Sequence, residues 1–190
     1  MKAKLFILAY HGKGLISKLI EWWEWGLYSH VALTTIVDPV VFGNTFIYES
    51  SGVPIIPRNG IHSGARKGHI STFYKDWNLH NTDIFEIDVT LEQKKIILNW
   101  MEEQIKKKAG YDYFGLLAFV LREKQLNSRN RFFCSEFIWE AFKQAGIQLL
   151  RLRYYQITPT LLCASPLLKV VKTNFPEIHY LKSQISRQDL

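Results

Sequence analysis

The stretch RFFCSEFIWEAF, residues 131–142, joins a cysteine to the start of an apolar helical pattern. The apolar side chains that follow Cys134 recur at the spacing of one helix face, and Gly146 is well placed to end the helix. A thiol at the start of a helix lies beside backbone N–H groups and the positive end of the helix dipole, which favour the thiolate. Cys134 is therefore either a reactive nucleophile or a small apolar residue that fills a helix junction.

A thiol nucleophile needs a base, and the segment YSHVALTTIV, residues 28–37, contains a candidate. Its β-branched and aromatic residues predict a strand, as do those of TFIYES, residues 45–50, and the turn residues between the two segments predict a hairpin. In such a hairpin His30 lies opposite Ser51 and diagonal to Glu49 on one face of the sheet, within reach of a hydrogen bond. The carboxylate would then fix the tautomer of the imidazole. The alternative for the two residues is a half-buried histidine and a solvated carboxylate.

Other patterns predict further strands and helices around this hairpin. Residues 4–9 and 83–89 are predicted strands, and residues 52–68, which are rich in proline and glycine, are predicted to be irregular with short extended pieces. Thr90 and Gln93 predict a capping box for a helix that runs to Ala109, and Thr158 before Pro159 predicts a short helix. Two more helices are predicted at 13–26 and 111–124. Together these elements predict an α+β domain over residues 1–175, followed by a tail, 176–190, that is expected to fray.

Composition limits the class of protein. A chain of 190 residues with 47% hydrophobic residues is expected to fold as one domain with a core. The formal charge of +7 favours anionic surroundings such as a membrane, a wall polymer or nucleic acid. Two cysteines are too few for a disulfide framework, so Cys134 and Cys163 are expected to be free thiols, with Cys163 structural. Neither a signal peptide nor an apolar run of about 18 residues is apparent, so the chain is expected to be cytoplasmic as synthesised.

Four motifs in this order resemble a known family. They are SHVAL at 29–33, IYESSGV at 47–53, YDYFGLLAF at 111–119 and FFCSEFIWEAF at 132–142. In this order and spacing the chain resembles the circularly permuted NlpC-type papain-like amidases and peptidases, whose wider clan includes the lecithin:retinol acyltransferase-like enzymes. In the permuted members the histidine precedes the cysteine, as His30 precedes Cys134 here. The resemblance runs from about Leu5 to Pro166 and implies an antiparallel sheet or partial barrel packed against helices.

The resemblance also implies roles for individual residues. Cys134 is the implied nucleophile, His30 the general base and acid, and Glu49 the residue that orients His30. Further residues are candidates for substrate binding: Tyr28, Tyr111, Tyr113, Trp25 and Ser135. For Trp25 the alternative is a place in the core.

The implied reaction is hydrolysis of an amide bond through a thioester, without a cofactor. A peptide of the peptidoglycan type is the expected substrate, at an anionic wall or membrane surface, and a lysis or injection system would release the enzyme to reach it. One alternative is a lipid acyltransferase or esterase of the same clan, and another is a non-catalytic binding module on the same fold. Nucleic acid is not an expected partner of either enzyme. No metal site is expected, because the histidines at 62, 69 and 80 lack a ligand spacing typical of metal motifs.

Overall fold

The apolar segment at the N-terminus forms a central strand of the sheet. The computed structural model describes residues 1–12, 18, 26–37, 39–55, 62–112, 131–153 and 156–188. Within these ranges β1 (Lys2–Tyr10) pairs antiparallel with β2 (His30–Thr34) on one side and with β5 (Thr82–Thr90) on the other. Because β1 is flanked on both sides, its second half is almost fully buried, as the apolar run predicts.

The described strands form one curled half-barrel. Its other members are β3 (Phe46–Ile55), β4 (His62–His69), β6 (Gly110–Tyr111), β7 (Arg131–Phe132) and β8 (Lys169–Lys172). The strand order is β7-β6-β4-β3-β2-β1-β5-β8, and neighbouring described strands pair antiparallel except β6 with β7. The α+β class with an antiparallel partial barrel is the architecture predicted from the sequence.

Five helices lie within the described ranges. They are α1 (Ile70–Phe73), α2 (Leu91–Lys106), α3 (Cys134–Gln144), α4 (Pro159–Cys163) and α5 (Glu177–Gln188). The predicted capping box of Thr90 and Gln93 is present at the start of α2, and Thr158 caps α4. Helix α3 begins at Cys134, as its apolar pattern predicts, and Gly146 follows its end with a φ of 72°. In the part of the chain that is described, no helix is long and apolar enough to cross a membrane.

The sheet carries a hydrophobic core on each face. The larger core joins β1 and β2 to helices α2 to α5, with Phe137 and Phe142 of α3 fully buried in it. The smaller core lies on the other face, where Leu8 and Ala32 pack against Trp77. Alternate residues of β1 and β2 divide between the two cores because successive strand residues point to opposite faces. Helix α3 is thereby held against β2 and β3.

Within the segment 52–68, the described residues 52–55 and 62–68 are more regular than the composition predicts. Strand β3 continues to Ile55, and β4 is an eight-residue strand in place of the predicted irregular loop. The glycines of β4 mark close approaches and not turns: a Cβ at Gly64 would lie 2.2 Å from the carbonyl oxygen of Ala109, and one at Gly68 would lie 2.7 Å from the ring of Phe73.

Two further predictions differ from the structure at the chain's later elements. The tail that was expected to fray forms α5, because Ile178, Leu181 and Ile185 lie on one helix face and pack on the larger core. Tyr111 belongs to β6, so the predicted helix does not begin there, and its residues from 113 onwards lie outside the described residues. The predicted helix at 13–26 also falls almost entirely outside them.

Candidate active site

The hairpin of β2 and β3 brings His30 and Glu49 together. Leu33 pairs with Tyr48, the register in which His30 is diagonal to Glu49. The Nε2 atom of His30 lies 2.6 Å from Oε2 of Glu49. The side chain of Glu49 is 0% exposed and that of His30 is 13% exposed. The predicted contact is thus present, and it is almost completely shielded from water.

Arg66 of β4 forms a second ion pair with Glu49. The two residues face each other across β3 and β4, and Nε of Arg66 donates to Oε1 of Glu49 at 2.6 Å. Arg66 is only 5% exposed, and its guanidinium lies 4.4 Å from the ring centre of Phe73. The sequence predicted irregular structure with short extended pieces for residues 52–68, and no role for Arg66. The eight-residue strand β4 turns this side chain into the protein.

Tyr74, which follows α1, completes the group around the carboxylate. Its hydroxyl donates to Oε2 of Glu49 at 2.9 Å and lies 3.3 Å from Nε2 of His30. The same hydroxyl accepts a hydrogen bond from Nη2 of Arg66 at 3.2 Å. No sequence pattern singled out Tyr74, because it reaches the site from a loop between two elements. A buried hydroxyl next to two opposite charges is the feature that identifies it here.

Cys134, the predicted nucleophile, lies at the first turn of α3. It is 4% exposed, and the preceding residue, Phe133, has the extended backbone of an N-cap without a side-chain cap. Cys134 contributes to the raised pKa of His30 through charge and hydrogen bonding, so the two side chains lie near each other. Because Nε2 of His30 contacts Glu49, Nδ1 is the ring nitrogen left for the thiol. Of the three residues predicted as a unit, His30 and Glu49 are thus in direct contact, and Cys134 contributes to the electrostatics of His30.

The titration of His30 reflects these neighbours. Burial lowers the pKa of His30, but the charges of Cys134 and Glu49 and hydrogen bonds to both raise it, to about 9. For Glu49, burial raises the pKa, but the interactions with His30 and Arg66 lower it by more. The pKa of Glu49 therefore lies below its usual value. An imidazolium beside an ionised carboxylate is the state these environments favour at neutral pH.

Aromatic rings surround His30 on the face of the smaller core. The imidazole meets Trp77 edge to face at 5.5 Å between ring centres and Tyr74 at 5.8 Å. Tyr10 lies 5.0 Å from Trp77, whose indole N–H donates to the hydroxyl of Thr82. The site is located where the two cores meet, with Trp77 from one and Cys134 from the other. This packing limits the water that can screen the charges.

The remaining candidate residues take different places. Tyr28 is fully buried, donates to Asp83 at 2.6 Å and contacts Phe85 and Phe175 through its ring edges, so it packs the core. Ser135 is also fully buried and donates to the carbonyl oxygen of Ile157. Tyr111 is half-buried in β6, whereas Trp25 and Tyr113 lie outside the described residues. Cys163 is buried, and burial raises the pKa of its thiol well above the usual value.

Comparison with known proteins identifies a similar fold. No protein-family model and no curated protein matches the sequence. Among solved structures, the metalloprotein YiiX from Escherichia coli O157:H7 superposes with a TM-score of 0.54 at 14% identity, over 92% of this chain and 98% of that one. This likeness extends over nearly the full length of both chains. At this identity it concerns the fold alone.

Proposed function

We propose that this protein is a cysteine hydrolase that cleaves an amide bond through a thioester on Cys134. His30 is the acid and base, and Glu49 orients it. The observation that carries the proposal is the position of the His30 ring, which contacts Glu49 at 2.6 Å and interacts with a thiol at the start of a helix. The resemblance of the fold to YiiX and the order of the four motifs support the same class.

The first half of the reaction forms the thioester. The Cys134 sulfur attacks the carbonyl carbon, the C–S bond forms, and the electron pair of the C=O bond moves to the oxygen. N–H groups in the first turn of α3 have no acceptor within the helix, so they can stabilise the oxyanion. The C–N bond then breaks as the His30 imidazolium gives its proton to the leaving amine. The product is a thioester and a neutral imidazole.

The second half returns the enzyme to its starting state. Neutral His30 takes a proton from water as the water oxygen attacks the thioester carbon. Collapse of the second oxyanion breaks the C–S bond and releases the acid, leaving a thiolate beside an imidazolium. Glu49 keeps Nε2 of the ring occupied through both halves, so Nδ1 stays directed at the reacting atoms.

A metal ion does not fit the residues at this site. YiiX is described as a metalloprotein. Here, Oε1 of Glu49 accepts from Arg66, while Oε2 contacts both Tyr74 and His30 Nε2, so the donor atoms already have close partners. Across the described ranges, no cluster of three or more histidine, cysteine or acidic side chains could hold a metal ion. The proposed steps therefore use side chains and backbone groups alone.

We propose a peptide of the peptidoglycan type as the substrate. The family resemblance favours this class, and a formal charge of +7 suits an anionic wall. A lipid acyl substrate is the second candidate. Exposed apolar residues between β2 and β3, namely Ile36, Val40 and Val41, are a feature that could contact a bilayer.

Defined muropeptides provide the first test. The wild type is expected to release a new amine, detected by mass spectrometry, and Cys134→Ala to lose at least about a thousandfold in rate because the nucleophile is gone. Cys163→Ala is the matched control and should keep the rate, because that thiol is fully buried in the core and burial raises its pKa well above the usual value. Undiminished turnover in Cys134→Ala would contradict the mechanism. An acyl-enzyme mass shift from phospholipid vesicles, without muropeptide cleavage, would favour the lipid substrate.

A further inference from the structure

One carboxylate at the site serves two cations. Oε1 of Glu49 accepts from Arg66 at 2.6 Å, and Oε2 lies 2.6 Å from Nε2 of His30. All three side chains are buried or nearly so, with exposed fractions of 0% for Glu49, 5% for Arg66 and 13% for His30. Water screens such charges poorly, so the charge of Arg66 acts strongly on Glu49, the carboxylate that His30 contacts.

Tyr74 links the two sides of this arrangement. Its hydroxyl accepts from Nη2 of Arg66 at 3.2 Å and donates to Oε2 of Glu49 at 2.9 Å, the same oxygen that His30 contacts. The Phe73 ring, 4.4 Å from the guanidinium carbon, supports Arg66 from one face. The carboxylate is thus held at both oxygens and cannot turn away from the imidazole without breaking a buried hydrogen bond.

Without a second cation beside Glu49, this buried carboxylate would raise the pKa of His30 still further above its usual value. The thioester half-reaction could then proceed, but the neutral imidazole needed to activate water would be scarce. Arg66 opposes this by placing a positive charge on the far side of Glu49. With Cys134 as thiolate, the four groups sum to zero charge, which reduces the cost of burying them.

We propose that Arg66 is a positioning residue that offsets the charge of Glu49 and thereby limits how strongly His30 holds its proton, with Tyr74 fixing the carboxylate between them. The importance of this role for catalysis rests on the proposed function. Its effect on the pKa of His30 can be measured without any substrate.

The experiment is an NMR titration of the His30 ring in the full-length protein, with the resonance assigned by its loss in His30→Gln. Arg66→Gln should raise the His30 pKa by about one unit relative to the wild type, because a nearby positive charge is removed. Arg66→Lys keeps the charge and should restore the wild-type value. Lys67→Gln is the matched control. Lys67 lies next to Arg66 on β4 and is also paired with a glutamate, Glu102, so this variant removes a comparable cation and should leave the titration of His30 unchanged.

A second pair of variants keeps the test decisive if Arg66→Gln leaves Glu49 unpaired and prevents folding. Glu49→Gln leaves the charge of Arg66 unopposed and should lower the His30 pKa, whereas Glu49→Gln combined with Arg66→Gln should return it toward the wild type. Equal His30 pKa values in Glu49→Gln and in the double variant would overturn the proposal. It would also be overturned if Arg66→Gln folds and its His30 pKa is equal to or lower than that of the wild type. If these shifts occur in a protein that cleaves no muropeptide, only the proposed function is contradicted. Cleavage without the shifts contradicts only the role of Arg66.

Discussion

Two neighbouring groups favour the charged form of the His30 imidazole. Glu49 contacts Nε2 at 2.6 Å, and Cys134 contributes through charge and hydrogen bonding. Partial burial works in the opposite direction, since it penalises a charged ring. The balance raises the pKa to about 9, so the proton on His30 is available to a leaving group across the neutral range.

This balance predicts a pH dependence of stability. The pKa of His30 is about 9 in the folded protein, against 6.5 for an ordinary histidine. A raised pKa stabilises the fold fully below the unfolded value, and the contribution is lost as the pH rises through the folded value. The free energy of unfolding of the wild type, relative to His30→Gln, is expected to fall by about 1–3 kcal/mol between pH 6.5 and pH 9.

Urea unfolding of both proteins at a series of pH values measures this difference. His80→Gln, in the exposed turn before β5, is the control for the substitution of a histidine as such. If the difference in free energy of unfolding between the wild type and His30→Gln stays constant from neutral to alkaline pH, His30 is not held in its charged form.

Local sequence was sufficient for part of this site. The contact of His30 with Glu49 follows from a hairpin and the two-residue period of its strands, both of which are readable from residues 28–50. Arg66 and Tyr74 could not be found in this way. The register of β4 against β3 shifts between Ser51 and Ile55, so the partner of Glu49 depends on an irregularity that composition does not reveal. Tyr74 reaches the site only after α1 has turned the chain back.

At the scale of elements, glycine determines how β4 fits into the sheet. Gly64 has a φ of 136° and pairs with Gly110 of β6, and the N–H of Ala65 donates to the carbonyl oxygen of Ala109. The space for a side chain at Gly64 is already filled by the backbone of residues 109 and 110. The glycines that suggest an irregular loop in the sequence therefore allow one strand to approach another closely.

Gly64→Ala is accordingly expected to destabilise the protein strongly. A Cβ at this position would lie 2.2 Å from the carbonyl oxygen of Ala109, so β4 and β6 would have to separate, at a cost of about 3 kcal/mol or more. Gly146→Ala is the matched control, because its φ is also positive, at 72°, but nothing lies within 4 Å of the added Cβ. It should cost only about 1 kcal/mol of backbone strain. Denaturant unfolding measures both, and equal losses would refute the steric explanation.

At the scale of the whole molecule, the C-terminal segment holds distant parts of the chain together. Asp83, at the start of β5, accepts from Tyr28, from the hydroxyl of Thr173 and from the backbone N–H of Asn174. Strand β8 pairs with β5, and α5 then packs on the core that contains α3. Strand β8 and helix α5 thereby support both parts of the site. Strand β5 pairs with β1, which in turn pairs with the strand of His30, and helix α3 begins with Cys134. Contacts this far apart in sequence leave no local pattern, which is why the tail was expected to fray.

Ile178 tests whether α5 is part of the folded unit. Its side chain is fully buried in the larger core, so Ile178→Ala is expected to lower the free energy of unfolding by about 2–4 kcal/mol through lost burial and a cavity. Tyr180, two residues further along the same helix, is 66% exposed, and Tyr180→Ala should change stability by less than about 0.5 kcal/mol. Both losses are read from urea unfolding followed by tryptophan fluorescence. If Ile178→Ala were as mild as Tyr180→Ala, α5 would unfold independently of the sheet, and it could not support the placement of Cys134 beside His30.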